Sequence, residues 1–179
     1  MINMKLNLGC GRDIKKGWIN LDFNEGGGVD VVHDLNILPL PFEDEKFDYV
    51  LCQDILEHVD FIPLIDDIYR ILKTNGNLRI RVPHFISKVN FEDPTHKHLF
   101  SVRTFDYFIK NDIFTYSRKV QYFSKIEKRI IFDKSSLLLK IFNIFLEKWI
   151  NKSEKRQNLY ESSILRIFPA VNIVITLIK

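Results

Sequence analysis

Four short apolar runs within the first 52 residues each stop at a glycine or a polar turn residue. Lys5 to Leu8 runs into Gly9-Cys10-Gly11, Trp18 to Leu21 ends at Asp22, Val29 to His33 ends at Asp34, and Phe47 to Cys52 ends at Gln53-Asp54. This rhythm predicts neighbouring parallel strands whose carboxyl ends face a common ligand. From Ile62 to Lys73, apolar Leu64, Ile65, Ile68, Ile71 and Leu72 recur with the period of an amphipathic helix. Asn75-Gly76 ends that helix, with Gly76 expected as a left-handed cap. Gly76 to Val82 alternates polar and apolar as a fifth strand, and the β-branched runs Lys125 to Phe132 and Val171 to Ile178 supply a sixth and a seventh. A helix is expected from Val102 to about Lys110, and a very apolar helical segment from about Ser135 to Glu161.

A chain of 179 residues with 46% hydrophobic content has enough apolar mass for one domain without disulfides or structural metal. Cys10 and Cys52 lie inside strand-like runs and lack metal-ligand spacing. With no basic and apolar leader before the first strand, a reducing cytoplasm is the expected setting. Leu137 to Ile150 is too short and too interrupted by charge to span a bilayer. Charge is unevenly spread: residues 1–117 carry 13 Lys and Arg against 18 Asp and Glu, whereas 118–179 carry 13 against 5. The basic C-terminal third can be a solvated surface or can meet an anionic partner.

A strand running into Gly9-Cys10-Gly11 makes a tight turn that lets backbone approach a ligand. Asp22, ending the next strand, offers a carboxylate to both ribose hydroxyls of a nucleoside, and Asp34 ends the third strand beside the expected base. The third glycine of a dinucleotide fingerprint is missing, and Asp22 follows too soon for NAD.

Taken together, LNLGCG at 6–11, Asp22, DLNILPLPFEDEKFDYV at 34–50 and QDILEHV at 53–59 resemble the class I S-adenosylmethionine-dependent methyltransferases, in the group called methyltransferase type 11. The resemblance implies an α/β, Rossmann-like, mostly parallel seven-stranded sheet with an antiparallel final strand and helices on both faces. It implies S-adenosylmethionine as cofactor and S-adenosylhomocysteine as product. It puts the methionine portion on Gly9, Cys10 and Gly11, ribose on Asp22, adenine on Asp34 and Leu35, and the transferred methyl near Gln53. Only Arg12 to Gly17 separates the glycine loop from the second strand, so the first helix is shortened to a turn or lost; Arg12 or backbone amides then replace its contacts to the methionine carboxylate.

Methyl transfer from a sulfonium needs in-line positioning, plus a base where the acceptor is a hydroxyl. His58, His84, His96 and His98 are candidate bases; His84 follows the fifth strand, and EDPTHKHLFS brings Asp93, His96 and His98 on a segment placed to cover the pocket, so His84 and His96 are favoured. Asp93, His96 and His98 with His84 also allow a metal site or a purely structural loop; the short spacing does not identify a metal site. For His58, in the LEHV block, anchoring the start of the following helix is the alternative to a role as base. The domain plan is a single methyltransferase domain over 1–179, with a substrate-covering loop and helix at 84–116 and an apolar helical insertion at 133–163 between the last two strands.

The expected activity is methylation of a small-molecule or glycan acceptor, at oxygen; the glycan comes from likeness to short proteins with a DPTHK-like loop associated with surface polysaccharide or lipid-linked sugar modification. Two alternatives are carried: a nucleic-acid methyltransferase using the basic third, disfavoured because no RNA-binding module or N-P-P-Y-like motif is present, and a cofactor-binding partner without catalysis. For the apolar helix of 137–150, with its narrow polar stripe of Lys140, Asn143, Glu147 and Asn151, three readings stand open: core packing, a homodimer face, and contact with an anionic membrane or lipid-linked substrate.

Overall fold

The computed structural model describes residues 3–109, 123–135 and 137–179, with the backbone alone at 137–139. One sheet contains β1 (Lys5–Leu8), β2 (Ile19–Asp22), β3 (Val31–Val32), β4 (Phe47–Gln53), β5 (Leu72–Pro83), β6 (Lys125–Phe132) and β7 (Ala170–Ile178), in the order β3-β2-β1-β4-β5-β7-β6. The first five strands pair in parallel, and β7 runs antiparallel to both β5 and β6. The chain moves outward from β1 to β2 and β3, then returns to the other side of β1 as β4. That reversal opens a crevice beyond the carboxyl ends of β1 and β4, where open α/β sheets bind ligands.

Helix α1 (Phe61–Ile71) presents Leu64, Ile65, Ile68 and Ile71 to the core, each fully buried. They share the core with Leu78, Ile80 and Val82 of β5 and Ile173, Ile175 and Leu177 of β7. Each such side chain contributes about 1.5–3 kcal/mol over its exposed state. Asn77, Arg79 and Arg81, at the alternate positions of β5, stay partly or fully exposed. Among the described residues no helix stands between β1 and β4; the connection from β1 to β2 is a set of turns, so the first helix is lost.

Three local expectations shift. The third strand shrinks from Val29–His33 to Val31–Val32, because Asp30 turns its carboxylate back to accept the Asn20 N–H at 2.7 Å. Asn75, with φ of 64°, takes the left-handed conformation in place of Gly76. Gly76 is needed for space instead, since a Cβ there would sit 2.7 Å from the Lys73 carbonyl oxygen. The helix expected over Val102 to Lys110 is a 3-10 turn at Thr104–Phe108. Asp106 within it is drawn into a buried ion pair with Lys128 at 2.7 Å, which overrides helical propensity. Residues 110–116 of the expected covering segment lie outside the described residues; its earlier part includes the one-turn α2 (Val89–Glu92).

Helices α3 (Leu137–Ile150) and α4 (Glu154–Ser162) stand between β6 and β7 and close the sheet edge at β6. Asn151 brackets Ile130, accepting its N–H and donating to its carbonyl, both at 2.8 Å. Glu147 accepts from the Phe132 N–H at 3.2 Å, and Gln157 donates to the Lys128 carbonyl at 2.9 Å. An edge strand that would otherwise offer unpaired backbone groups is thus satisfied by side chains. Consequently the polar stripe of α3 faces inward at Asn143, Glu147 and Asn151, while Lys140 stays exposed. The apolar residues Ile141, Phe142, Phe145 and Trp149 point to solvent. Leu146 and Ile150 of the same helix pack on the core, whereas Ile141 and Phe145 lie outside it.

Candidate cofactor and acceptor site

At the crevice, Gly9, Asp22, Phe23, Asp34, Leu35, Asn36, Ile55, His58 and Val59 line a cavity of about 290 Å³. Gly9 has φ of 61°, and a Cβ on it would lie 2.5 Å from Ile55 Cγ1. The close packing of Ile55 follows from the end of β4, where Asp54 adopts φ of 52° and turns the chain back under the glycine loop. Asp54 is fixed by its ion pair with Arg81 and by donating its N–H to the Arg81 carbonyl at 2.9 Å. Asp22 is buried; its two oxygens accept the N–H groups of Gly11 at 2.8 Å and Asn24 at 3.0 Å. A carboxylate has about four acceptor positions, so capacity remains for two hydroxyls. Asp34 is exposed at the rim, and hydrogen bonds from the backbone and side chain of Asn36 hold its carboxyl below the usual range.

Of the residues expected to hold the cofactor, Gly9, Asp22, Asp34 and Leu35 line this cavity, and Gly11 supports it by donating to Asp22. Cys10 is buried, its N–H bonded to the Leu21 carbonyl, and burial raises its thiol pKa. Arg12 is exposed away from the lining, and Gln53 donates to Asp13 at 3.4 Å rather than reaching the cavity. Phe23 joins the wall with only its adjacency to Asp22 to announce it, while Ile55 and Val59 belong to the QDILEHV stretch, to which the sequence assigned no wall role beyond Gln53.

The histidines divide differently from expectation. His84 is fully buried outside the cavity. Its Nδ1 accepts from the Ile86 N–H at 3.3 Å, and its Nε2–H donates to Glu161 at 2.9 Å. Glu161 also accepts from the Val102 N–H at 2.7 Å. With both ring nitrogens engaged in the interior, His84 ties the end of β5 to α4 and is no base, which corrects the sequence reading. His98 packs edge-on against Phe61 at 5.1 Å.

His58, open between base and anchor in the sequence, lines the cavity, and His96 lies against it with ring centres 4.7 Å apart. The Thr95 hydroxyl donates to Asp93 at 2.6 Å, so its oxygen accepts from His58 Nδ1–H at 2.9 Å. That chain leaves His58 Nε2 as an acceptor. Beside it, Glu57 is buried, and desolvation pushes its carboxyl up to about 7. The covering loop is pinned above by the Lys97 N–H donating to the Glu57 carbonyl at 2.7 Å.

Two carboxylates at successive strand ends, a glycine turn and apolar flanks at Leu35, Ile55 and Val59 define a nucleoside-binding α/β domain. The sequence comparisons agree on its class. Residues 9–80 match the family described as "Methyltransferase domain". A 47-residue stretch is 51% identical to an uncharacterized protein of Methanocaldococcus jannaschii, covering 26% of this chain and 21% of that protein, so the chain matches about a fifth of its curated relative's length. A S-adenosylmethionine-dependent methyltransferase from Archaeoglobus fulgidus superposes with a TM-score of 0.61 at 22% identity, over 99% of this chain and 86% of that one. Phosphoethanolamine N-methyltransferase 2 of Haemonchus contortus, in complex with S-adenosyl-L-methionine, gives 0.60 at 18% identity, over 99% of this chain and 48% of that one. Residues 9–80 thus resemble a methyltransferase domain, and the chain as a whole has the fold of these S-adenosylmethionine-dependent methyltransferases.

Proposed function

We propose that the protein transfers a methyl group from S-adenosylmethionine to a hydroxyl oxygen of a small-molecule or glycan acceptor. The observation that carries this reading is one cavity with two unlike walls. The ends of β2 and β3 supply Asp22 for ribose hydroxyls, Asp34 at the base edge and Leu35, and the turn after β4 adds Ile55 and Val59 for the flat apolar base. The facing wall supplies His58 with Glu57 and His96 behind it, under the pinned loop.

When bound, the cofactor presents a methyl group on a positively charged sulfur, and transfer leaves a neutral thioether. The protein's part is to hold the acceptor oxygen in line, to exclude water, and to let the hydroxyl proton depart. The loop from Asp93 to His98 supports water exclusion, and the polar group around His58 supports orientation of a hydroxyl rather than of an apolar carbon. The glycan class rests on likeness of the DPTHK loop, and the basic C-terminal third is compatible with a phosphorylated sugar carrier.

The test is incubation of the protein with methyl-labelled S-adenosylmethionine and a panel of free, nucleotide-linked and lipid-linked sugars. Base-stable label in a methyl ether of one acceptor class is the expected result. Saturable S-adenosylhomocysteine binding with label entering only amines or nucleic acid overturns the oxygen assignment, and absence of cofactor binding at millimolar concentration overturns the enzyme.

A further inference from the structure

Glu57, His58 and His96 each bring one nitrogen or oxygen ligand atom to within 4.8 Å of the others. Glu57 Oε2 and His96 Nδ1 are both buried and, among the described residues, have no hydrogen-bond partner. Glu57 is 1% exposed, and the His96 side chain 5%. A buried polar atom without a partner costs about 1–3 kcal/mol, so two of them on residues of one such cluster call for a shared partner. Behind them stands Asp93. It fixes His58 through Thr95, leaving Nε2 available, and lies 3.9 Å from Nε2 of His96, the nitrogen opposite the orphan. Metal-bound histidines are held in this way, with the second ring nitrogen turned to a carboxylate or its relay.

We propose that Glu57, His58 and His96 bind a divalent transition-metal ion, with Asp93 orienting His58 through Thr95 and placing its charge beside His96. Two imidazoles and one carboxylate suit zinc, iron(II), manganese(II) or cobalt(II) and leave positions open. Ligands at metal-bonding distance stand about 3 Å apart, so the trio closes by side-chain rotation of about 1–2 Å. Because His58 is also a cavity wall, the open positions face the acceptor, and the inference rests on the proposed acceptor site.

The full chain, stripped with chelator, is titrated with zinc by calorimetry and with cobalt(II) by visible absorption. One equivalent of ion is expected. Asp93→Ala weakens it by about 10- to 100-fold, and Glu57→Gln and His96→Ala by at least as much. His98→Ala, on the same loop, leaves it unchanged. Circular dichroism and S-adenosylhomocysteine binding report whether each variant remains folded. No ion binding by folded wild type, or equal affinity in Glu57→Gln and His96→Ala, overturns the site. Intact cofactor binding and sugar methylation in that case leave the proposed function standing.

A second observation is independent of the cavity. Ile141 and Phe145, each 67% exposed, form with Trp149 one outward stripe of α3. The Phe142 ring packs on Phe168 at 4.6 Å, bringing the 3-10 turn Ile164–Ile167 alongside, with Ile164 and Ile167 also exposed. Lys140, Lys148, Lys152 and Arg166 accompany this apolar surface, and Arg156 sits 5.0 Å over the Trp149 ring. We infer that it seats on an anionic lipid surface. Aromatic and aliphatic residues set among lysines match the chemistry of interfacial helices, whereas a second copy would bring like charges together.

The full chain is spun with vesicles of phosphatidylglycerol and phosphatidylcholine or of phosphatidylcholine alone. Sedimentation with the anionic vesicles only is expected, lost in Phe145→Glu and reduced about tenfold or more in Lys140→Glu with Lys148→Glu. No binding to anionic vesicles, binding indifferent to Phe145→Glu, or a solution dimer that Phe145→Glu disperses overturns the inference.

Discussion

Replacing Asp22 with alanine tests the cofactor site at the residue that both builds and serves it. In the protein alone, the change strips the acceptors from the N–H groups of Gly11 and Asn24. Hydrogen bonds to a charged acceptor are worth about 1.5–3 kcal/mol each, but Gly11 and Asn24 are exposed and water can reach them, so the expected stability loss is about 1–3 kcal/mol in total. In the complex, the ribose hydroxyls lose the same carboxylate. That costs about 1.5–3 kcal/mol of affinity, roughly 10- to 150-fold in Kd. Asp22→Asn has nearly the same shape and keeps one oxygen acceptor, so it should fall between wild type and alanine in both quantities. Calorimetric titration with S-adenosylhomocysteine gives the affinity, and urea unfolding gives the stability. A folded Asp22→Ala protein that binds S-adenosylhomocysteine within twofold of wild type would refute the argument that the end of β2 receives ribose.

Gly9→Ala combines an unfavourable positive φ with a Cβ 2.5 Å from Ile55, so a loss of about 1–3 kcal/mol is expected in urea unfolding; pairing it with Ile55→Ala relieves the clash but not the backbone strain. His84→Ala leaves Glu161 without its ring partner in a largely buried setting and should cost about 2–4 kcal/mol of stability, while the folded fraction binds S-adenosylhomocysteine within a few-fold of wild type. Asn151→Ala uncovers the N–H and carbonyl of Ile130 at the sheet edge, and a loss of about 1–3 kcal/mol is expected by the same measurement.

The sheet was legible because its signals are local. Each strand run is short, and the residues that stop it, Gly9, Asp22, Asp34 and Gln53, sit where a parallel sheet needs turns. The same locality made Gly9, Asp22, Asp34 and Leu35 recognisable as one ligand wall. What escaped depends on contacts between distant segments. His58 and Thr95 are 37 residues apart and meet only because Lys97 is tied to Glu57. His84 looks like a base at a strand end until Glu161, 77 residues away, takes its Nε2–H. In α3 the amphipathic pattern is visible, but its direction is set by β6, whose edge demands the polar side for backbone hydrogen bonds and leaves the apolar side outward.

These contacts divide the cavity between two kinds of structure. In the proposed reading the cofactor wall is built on the ends of β1, β2 and β3, whose registers the ladder fixes, with Ile55 and Val59 added from the turn after β4. The acceptor wall is borrowed: His58 from the turn after β4, and His96 with Asp93 and Thr95 from a loop held by single hydrogen bonds. A change of loop sequence alters which groups meet the acceptor without disturbing Asp22 or Gly9. Under the proposed function, acceptor choice is set by His58 together with the loop 84–98, whose two ends are tied by His84 to Glu161 and by Lys97 to Glu57. Exchanging that loop should change which acceptor is methylated while affinity for S-adenosylhomocysteine holds, and an exchange that abolishes cofactor binding in a folded protein would show that the two walls are not separable.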